Sequence, residues 1–464
     1  MPFAQSVCLL KCSLQCAIMS AGTHFFNRGG DTMNNSNSRS GRIARNIVLL
    51  LLVAAFTVAG MIAIGRMNST QQTDLAVPEA SSQSDAPSAS DVQPPPPKPD
   101  SLTITMAGDC LLHEGLRENA RVDDNSFDFS HQLELMEGTF CADLNIVNME
   151  TPIDAHGDNK KLRGYPCFNG PIEYAEAIAD MGIDVGITAN NHCLDNGWNG
   201  LVNNINNIRA LGIDTIGTYT SPEERNEPYI REINGIKVGI VAFTDNTNGL
   251  KLEKSRESYA LCRLDKASTV IEEVDKLRAQ GAEYIIASIH WGEEYTDEPI
   301  GRVVTMAQRL CEGGVDLIMG HHPHVVQPIK KLTVTRADGS ERDCLVIYSL
   351  GNYFASQGRP DGRTRQTMTV SARLERGEDG IVRLTDAFYM PVMMYSSSSD
   401  PDFMRLIPMG RYLSSAQPPE FISEADMKNY CRPAWDHVVK VAGDEIPIVT
   451  APEEYPDWLT GNNK

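Results

Sequence analysis

Between residues 102 and 352 the chain repeats one pattern, a short apolar run followed by Gly or by side chains able to bind a cation. Leu102, Ile104 and Met106 alternate with Thr103 and Thr105, then give way to Ala107-Gly108-Asp109. Leu144, Ile146 and Val147 lead to Asn148-Met149-Glu150, and Val185 and Ile187 lead to Ala189-Asn190-Asn191-His192, with Asp195 just beyond. Ile285, Ile286 and Ile289 precede His290-Trp291-Gly292. Val315, Leu317, Ile318 and Met319 precede Gly320-His321-His322-Pro323-His324, and Leu345, Val346 and Ile347 precede Tyr348-Ser349-Leu350-Gly351-Asn352. Short apolar runs closed by Gly and polar residues predict buried strands that end in loops. Helical periodicity fills the intervals. Residues 198–211 put Leu201, Ile205, Ile208 and Leu211 on one face before Gly212, and residues 267–280 do the same with Val270, Ile271, Val274 and Leu277 before Gly281. A third helix is predicted over 303–312, ahead of Gly313-Gly314. Strands alternating with helices predict a layered α/β fold. Two strand-like runs, 229–233 and 237–243, flank Asn234-Gly235, which predicts a hairpin and hence some antiparallel pairing.

In α/β sheets, ligands bind beyond the carboxyl ends of the strands. Here six such ends carry Asp, Glu, Asn-His, His, His-His-x-His and Asn. Any one of these carboxylates or amides reads equally well as a helix cap or a turn residue. The set points to a single cation site. Neutral imidazole is the commonest protein metal ligand, and His322 and His324, spaced His-x-His, can grip one ion from one side. A shell of carboxylate, carboxamide and imidazole suits Mn, Fe or Zn better than Ca or Mg. Donors suffice for two divalent ions bridged by a shared carboxylate, the arrangement used in phosphoester hydrolysis. No cysteine set has zinc-finger spacing.

The blocks Met106-Ala-Gly-Asp109, Asn148-Met-Glu150, Ala189-Asn-Asn-His-Cys-Leu-Asp195, His290-Trp-Gly-Glu-Glu-Tyr295, Gly320-His-His-Pro-His-Val-Val-Gln327 and Tyr348-Ser-Leu-Gly-Asn352 resemble, in order, those of the bacterial capsule-synthesis CapA family of poly-γ-glutamate biosynthesis proteins. That family is similar in turn to the calcineurin-like metallophosphoesterases. The resemblance implies a layered β-sandwich flanked by helices with a dinuclear metal site. It makes Asp109 a ligand of the first metal and Glu150 the bridging carboxylate. Asn191, His290 and His322 would be ligands on the second-metal side, and His324 the last ligand of the first. His192 would face the scissile group as general acid. Two positions depart from the phosphoesterase pattern: Leu111 stands where a His is usual, and Glu150 replaces Asp. The first metal would then be weakly held or completed by another group, for example His113, which also reads as an ordinary first-turn residue.

Each residue also has a structural reading. His192 could hold a loop, and His321 is expected to turn from the metal and bond to backbone. Trp291 is expected to pack as a lid over the site, with a sugar or peptide platform as the second reading, and Glu293 and Glu294 to be a solvated pair, the alternative being that one of them lines the cleft. Asp195 is expected to cap the following helix or to brace Asn191. Asp195, Trp291, His321 and Asn352 are therefore candidates for support or substrate contact rather than ligation.

Charge and composition add the setting. With 41 basic against 61 acidic side chains the formal net charge is −20, which opposes nucleic acid as a partner. It also repels a polyanion unless local basics such as Lys160, Lys161, Arg163, Arg359, Arg363 and Arg365, or the metals, offset it. Residues 47–65 form an almost wholly apolar stretch, preceded by Arg39, Arg42 and Arg45, which predicts a single-span signal-anchor with the bulk of the chain outside the cytoplasm. A cleaved signal peptide is the competing reading. Residues 1–46 read as a disordered cytoplasmic segment, within which Met33 is an alternative start, and 66–100 as a Ser/Pro-rich tether. The CapA-like domain is expected over 101–395, with a wrapping extension over 396–464. Beyond the anchor lie Cys110, Cys141, Cys167, Cys193, Cys262, Cys311, Cys344 and Cys431, an even count that permits disulfides, but several sit in strand-like or motif segments and so read as buried free thiols rather than a staple framework.

The resemblance thus implies a membrane-anchored extracytoplasmic protein of capsule or poly-γ-glutamate synthesis or export with a metal-dependent hydrolase-like site. Its expected partners are that polymer, or another cell-envelope polymer, and membrane synthase subunits. The alternatives are a non-enzymatic polymer- or synthase-binding subunit with a structural or vestigial metal site, and a general cell-surface phosphoesterase.

Overall fold

Two mixed β-sheets lie face to face with helices outside them. The computed structural model describes residues 100–155, 159–398, 400, 402–414 and 419–461. The predicted segments 1–46 and 47–65, and all but the last residue of the tether, lie outside the described residues. Among the described residues no helix is long and apolar enough to cross a membrane.

The first sheet contains β1 (Ser101–Leu111), β2 (Leu144–Asn148), β3 (Val185–Ile187), β4 (Asp214–Ile216), β11 (Asn352–Ala355), β12 (Gln366–Arg376), β13 (Val382–Ser396) and β14 (Met404–Pro408). Its order is β14-β13-β12-β1-β2-β3-β4, with β11 also pairing β1. The strands β1 to β4 run parallel, while β12, β13 and β14 add antiparallel neighbours. The second sheet, β5-β6-β7-β8-β10-β9, is built from β5 (Ile230–Ile233), β6 (Ile236–Thr244), β7 (Tyr284–His290), β8 (Leu317–His321), β9 (Ile329–Thr335) and β10 (Glu341–Ile347). Here β6, β7, β8 and β10 are parallel and the two edge strands antiparallel. The Asn234-Gly235 hairpin forms as predicted, with φ of 50° and 80° at its two corner residues.

Strand alternation builds the layers. Leu102, Ile104 and Met106 of β1 share one buried cluster with Val238 and Ile240 of β6, Ile286 of β7 and Leu317 and Met319 of β8, so the central core lies between the sheets. Val147 and Met149 face the other way, against Tyr174, Ala175 and Ile178 of α1 (Ile172–Asp180) and Ile208 of α2 (Gly197–Ala210). Ile285, Ile289 and Ile318 face Val270 and Val274 of α3 (Ala267–Ala279) and Val303 and Leu310 of α4 (Gly301–Glu312). Burying each such side chain contributes roughly 1.5–3 kcal/mol. A one-residue slip of any of these strands would forfeit that for its whole inner face, which holds the register at the site.

Strand β13 runs through residue 395 to Ser396. Strand β14 extends the first sheet, and α5 (Arg432–Ala442) packs Ala434 and Val438 into the same core as Tyr389 and Met393. Tyr455 and Leu459 close the outer layer. The last segment thus packs its apolar residues into both the central core and the outer layer. All eight cysteines among the described residues are free thiols.

Candidate metal centre

The parallel strands β1, β2, β3, β7 and β8 end on the same side, and their last residues supply the site. The close approach starts at two glycines. A Cβ on Gly108 would stand 1.8 Å from Gly351 O, and one on Gly320 2.0 Å from Tyr348 O. Only Gly lets the ends of β1 and β8 meet the turn before β11. That contact carries the bond from Asp109 N to Gly351 O (2.9 Å) and from Leu350 N to Gly320 O (3.2 Å). It seats Asp109 and His321 at the junction of the two sheets.

Asp109 is fully buried. Its Oδ1 accepts from Asn148 Nδ2 at 2.8 Å and lies 3.0 Å from His321 Nδ1. Its Oδ2 accepts from His322 N at 3.4 Å and lies 3.3 Å from His324 Nδ1. The shorter contact of His324 Nδ1 is to Asn352 Oδ1, at 2.9 Å. An Nδ1–H donated there leaves Nε2 with its lone pair, facing Glu150 Oε1 at 3.9 Å. His290 Nε2 lies 3.7 Å from the same Glu150 oxygen and 3.1 Å from Asn191 Oδ1. Glu150 Oε1 thus stands between the two imidazoles. The His290 and His322 rings are 4.8 Å apart and those of His322 and His324 6.0 Å. Both His322 (φ 98°) and His324 (φ 58°) have left-handed backbones, at a cost on the order of 1–3 kcal/mol each, which turns both rings into the site.

A cation fits these residues on physical grounds. Glu150 Oε1 and His322 Nδ1 are buried and make no hydrogen bond, a state that costs about 1–3 kcal/mol per group. Asp109, Glu150 and His324 bring ligand atoms within 4.8 Å of one another, as do Glu294, His322 and His324. Donors bonded to one ion at about 2.1 Å stand about 3–4 Å apart, so these groups would have to draw in around an ion.

The electrostatics are those of crowded charge. Burial pushes Glu150 up, and the charge of Asp109 pushes it further. Burial opposes ionisation of Asp109 too, but the imidazoles of His321 and His324 prevail and hold it well below the usual carboxylate range. Burial works against the charge of His324, yet Glu150 and Asp109 raise it to about 9. Burial, then the charge of His324, lowers His322 to about 4, and His290 is lowered well below its ordinary value by burial and by His322. A cation would replace the protons that these groups now share.

His192 sits on the rim of this group. Its Nδ1 lies 2.8 Å from Asp195 Oδ2, and its ring meets Phe168 edge-on at 4.7 Å. Asp195 also accepts from Phe168 N at 2.7 Å. It braces His192, then, rather than capping α2, where Asn196 takes the cap position. Three other expectations change. His321 bonds the Asp109 carboxylate rather than backbone, since its strand position points it at Asp109. Trp291 is no lid: it is 1% exposed, donates to Tyr348 O at 3.1 Å and belongs to the core between β7 and its helices. Glu294 is not merely solvated, since it faces His322 and His324. His113 turns Nδ1 to Leu111 O (3.1 Å), edge-on to Phe168, and stays out of the donor group.

The sequence reading missed Asn148, which links Asp109, Glu150 (3.4 Å) and His290 (3.5 Å). It also missed Asn248, set between Asn191 (3.4 Å) and His192 (3.5 Å), and Asp245, which takes Gly292 N (3.3 Å) and Arg302 (3.0 Å). The signal was there in part: Val241-Ala242-Phe243-Thr244-Asp245-Asn246 is one more apolar run ending in ligand-type residues.

Fold and donors together define a class, an α/β protein of two packed mixed sheets that gathers carboxylate, carboxamide and imidazole at its parallel strand ends. The sequence profile of the bacterial capsule synthesis protein PGA_cap matches residues 103–357, and the chain belongs to that family. It is 26% identical to the PGA biosynthesis protein CapA of Bacillus subtilis (strain 168) over 240 residues, 51% of this chain and 59% of that protein. It is 25% identical to the capsule biosynthesis protein CapA of Bacillus anthracis over 276 residues, 59% and 64% of the two chains. A probable polyglutamine synthesis accessory protein of Mycobacterium tuberculosis is 24% identical over 272 residues, 50% of this chain and 71% of that one. The chain thus spans less than two thirds of the first two relatives. Among solved structures, the calcineurin-like phosphoesterase YfkN from Bacillus subtilis is 14% identical, covering 73% of this chain and 99% of its own, with a TM-score of 0.39. The NAD nucleotidase of Haemophilus influenzae is 12% identical, covering 78% of this chain and 66% of its own, with a TM-score of 0.40. Likeness at that level carries no argument about chemistry.

Proposed function

We propose that this chain is a membrane-anchored, extracytoplasmic accessory protein of capsule or poly-glutamate synthesis that holds divalent metal and uses it for hydrolysis. The observation that carries the reading is the buried Glu150 Oε1, which accepts no hydrogen bond and stands between the Nε2 atoms of His290 and His324. Asp109, Glu150 and His324 would hold one ion, and Glu150, Asn191, His290 and His322 a second, both Mn, Fe or Zn. When bound, such ions stabilise developing negative charge and supply a nucleophile at neutral pH. The protein's own part is orientation and proton transfer. Asn352 fixes the His324 ring and His321 fixes the Asp109 carboxylate. His192, held at Nδ1 by Asp195, would give a proton from Nε2 to the leaving oxygen or nitrogen of a phosphoester or amide.

The family and its relatives support a polymer or synthase partner at the cell envelope. The apolar stretch 47–65 supports anchoring there.

Metal analysis of the purified full-length chain, with rescue of capsule in a deletion strain, tests the reading. We expect bound Mn, Fe or Zn in the wild type and no rescue by a folded His322→Ala variant. A wild type free of metal would end the metal reading. The non-enzymatic reading is favoured by Leu111, which removes a nitrogen donor from the first-ion side, and full rescue by His322→Ala would establish it.

A further inference from the structure

The first-ion side is one donor short. Leu111 is 1% exposed and packs against Phe168 and Ala355, and His113 turns its Nδ1 to backbone. The loop after β7 carries a carboxylate that the sequence reading placed either in solvent or at the cleft. The Glu294 carboxylate and the His322 and His324 imidazoles have ligand atoms within 4.8 Å of one another. Glu294 is exposed, whereas both imidazoles are buried, so it stands at the mouth of the group.

The backbone aims it there. Gly292 (φ 103°) donates to Asp245 Oδ2 at 3.3 Å, and Tyr295 N donates to Pro323 O at 2.8 Å, which ties this loop to the His322-Pro323-His324 turn. Tyr295 has φ of 64°, a left-handed strain that a non-glycine residue keeps only where its surroundings enforce it. They do: Gln357 Nε2 donates to its hydroxyl at 2.9 Å, Arg359 lies 3.9 Å over its ring, and the ring is 6.1 Å from that of His324. With Gly292 and Tyr295 both held, the backbone of Glu294 is fixed beside the site.

We propose that Glu294 is a protein ligand of the metal centre, supplying the donor that position 111 lacks. The proposal rests on the metal-centre reading above. It gives the centre three carboxylates, Asp109, Glu150 and Glu294, and so a harder donor set than one with imidazole at position 111, which favours Mn over Zn. It also makes the loop from Gly292 to Asp297 part of the ion's shell rather than a passive rim.

Calorimetric titration of the chelator-stripped full-length chain with Mn2+ tests it. Glu294→Gln is expected to weaken Mn2+ binding by about tenfold or more, the scale of a lost or misplaced ligand. Glu293→Gln, one residue away, is expected to leave it within about twofold, and Glu294→His to raise the ratio of Zn2+ to Mn2+ affinity. Since Glu294 is exposed, circular dichroism of each variant should match the wild type. Mn2+ affinity unchanged in Glu294→Gln, or equal loss in Glu293→Gln, overturns the proposal while the metal centre stands. A wild type that takes up no Mn2+ or Zn2+ overturns both.

Discussion

Asn352 Oδ1 lies 2.9 Å from His324 Nδ1, and its Nδ2 donates to Thr364 O at 3.0 Å. One carboxamide therefore fixes which nitrogen of His324 faces Glu150 and ties β11 to the following loop. Replacing it with Ala frees the ring and leaves buried polar groups unpaired. Asn352→Ala is expected to weaken Mn2+ binding about 10–100-fold and to cost about 1–3 kcal/mol in the metal-free state. Calorimetry and urea unfolding read the two effects separately. Unchanged Mn2+ binding would mean that Asn352 does not orient His324.

The proton balance of the site predicts opposite pH responses with and without metal. His324 is raised from 6.5 to about 9, so in the metal-free chain it adds stability that is complete below pH 6.5 and is lost as pH rises through 9. Burial and the charge of His324 lower His322 to about 4, so stability is also lost as pH falls from 6.5 towards 4. These two imidazoles together contribute most to the metal-free chain near pH 6.5. Metal must displace the His324 proton, so its apparent affinity should rise by up to about tenfold per pH unit between 6.5 and 9. Thermal unfolding across that range should show the metal-loaded and metal-free curves diverging as pH rises. Parallel curves would contradict the assignment of His324 as a ligand.

Much of this arrangement is legible in the chain because strand period and ligand chemistry are both local. The alternation in β1 and the apolar runs before Glu150, Asn191, His290 and His322 locate the strand ends, and parallel strands bring their ends to one side. The orientation of a side chain beyond the strand is not local. Trp291 follows a ligand, yet its N–H finds Tyr348 O in the core. Asp195 is three residues from His192 and finds it through a turn, not through the helix it precedes. Glu294 looks like surface charge until the left-handed turn at Tyr295 brings it to a segment some thirty residues later.

The two glycines at the sheet junction give a stability prediction independent of metal. In Gly108→Ala the new Cβ would stand 1.8 Å from Gly351 O, a backbone atom that itself bonds Asp109 N. No rotamer change relieves that contact, so β1 or the turn before β11 must move by more than an ångström. The cost is expected to be about 3 kcal/mol or more, with loss of Mn2+ binding, because Asp109 moves with the strand. Gly197→Ala, where nothing lies within 4 Å of the Cβ, carries only the strain of its φ of 65° and should cost about 1 kcal/mol. Equal costs in urea unfolding would refute the close-approach argument.

His192 and Asp195 separate metal binding from proton transfer. His192 lies beside Asn191, but its Nδ1 is engaged by Asp195 and its ring packs on Phe168, so it is not among the atoms that converge on Glu150. His192→Gln should keep metal content at the wild-type level while turnover of a phosphodiester or γ-glutamyl amide falls about 10²–10⁴-fold, the scale of a lost general acid. Asp195→Asn should fall less far, because the amide can still accept from Nδ1 and hold the ring. Measuring kcat against pH for both variants, beside metal analysis, distinguishes this from a packing role. A His192→Gln variant that keeps its metal and its full kcat would remove His192 from the chemistry and leave it as the residue that holds the Phe168 loop against the site.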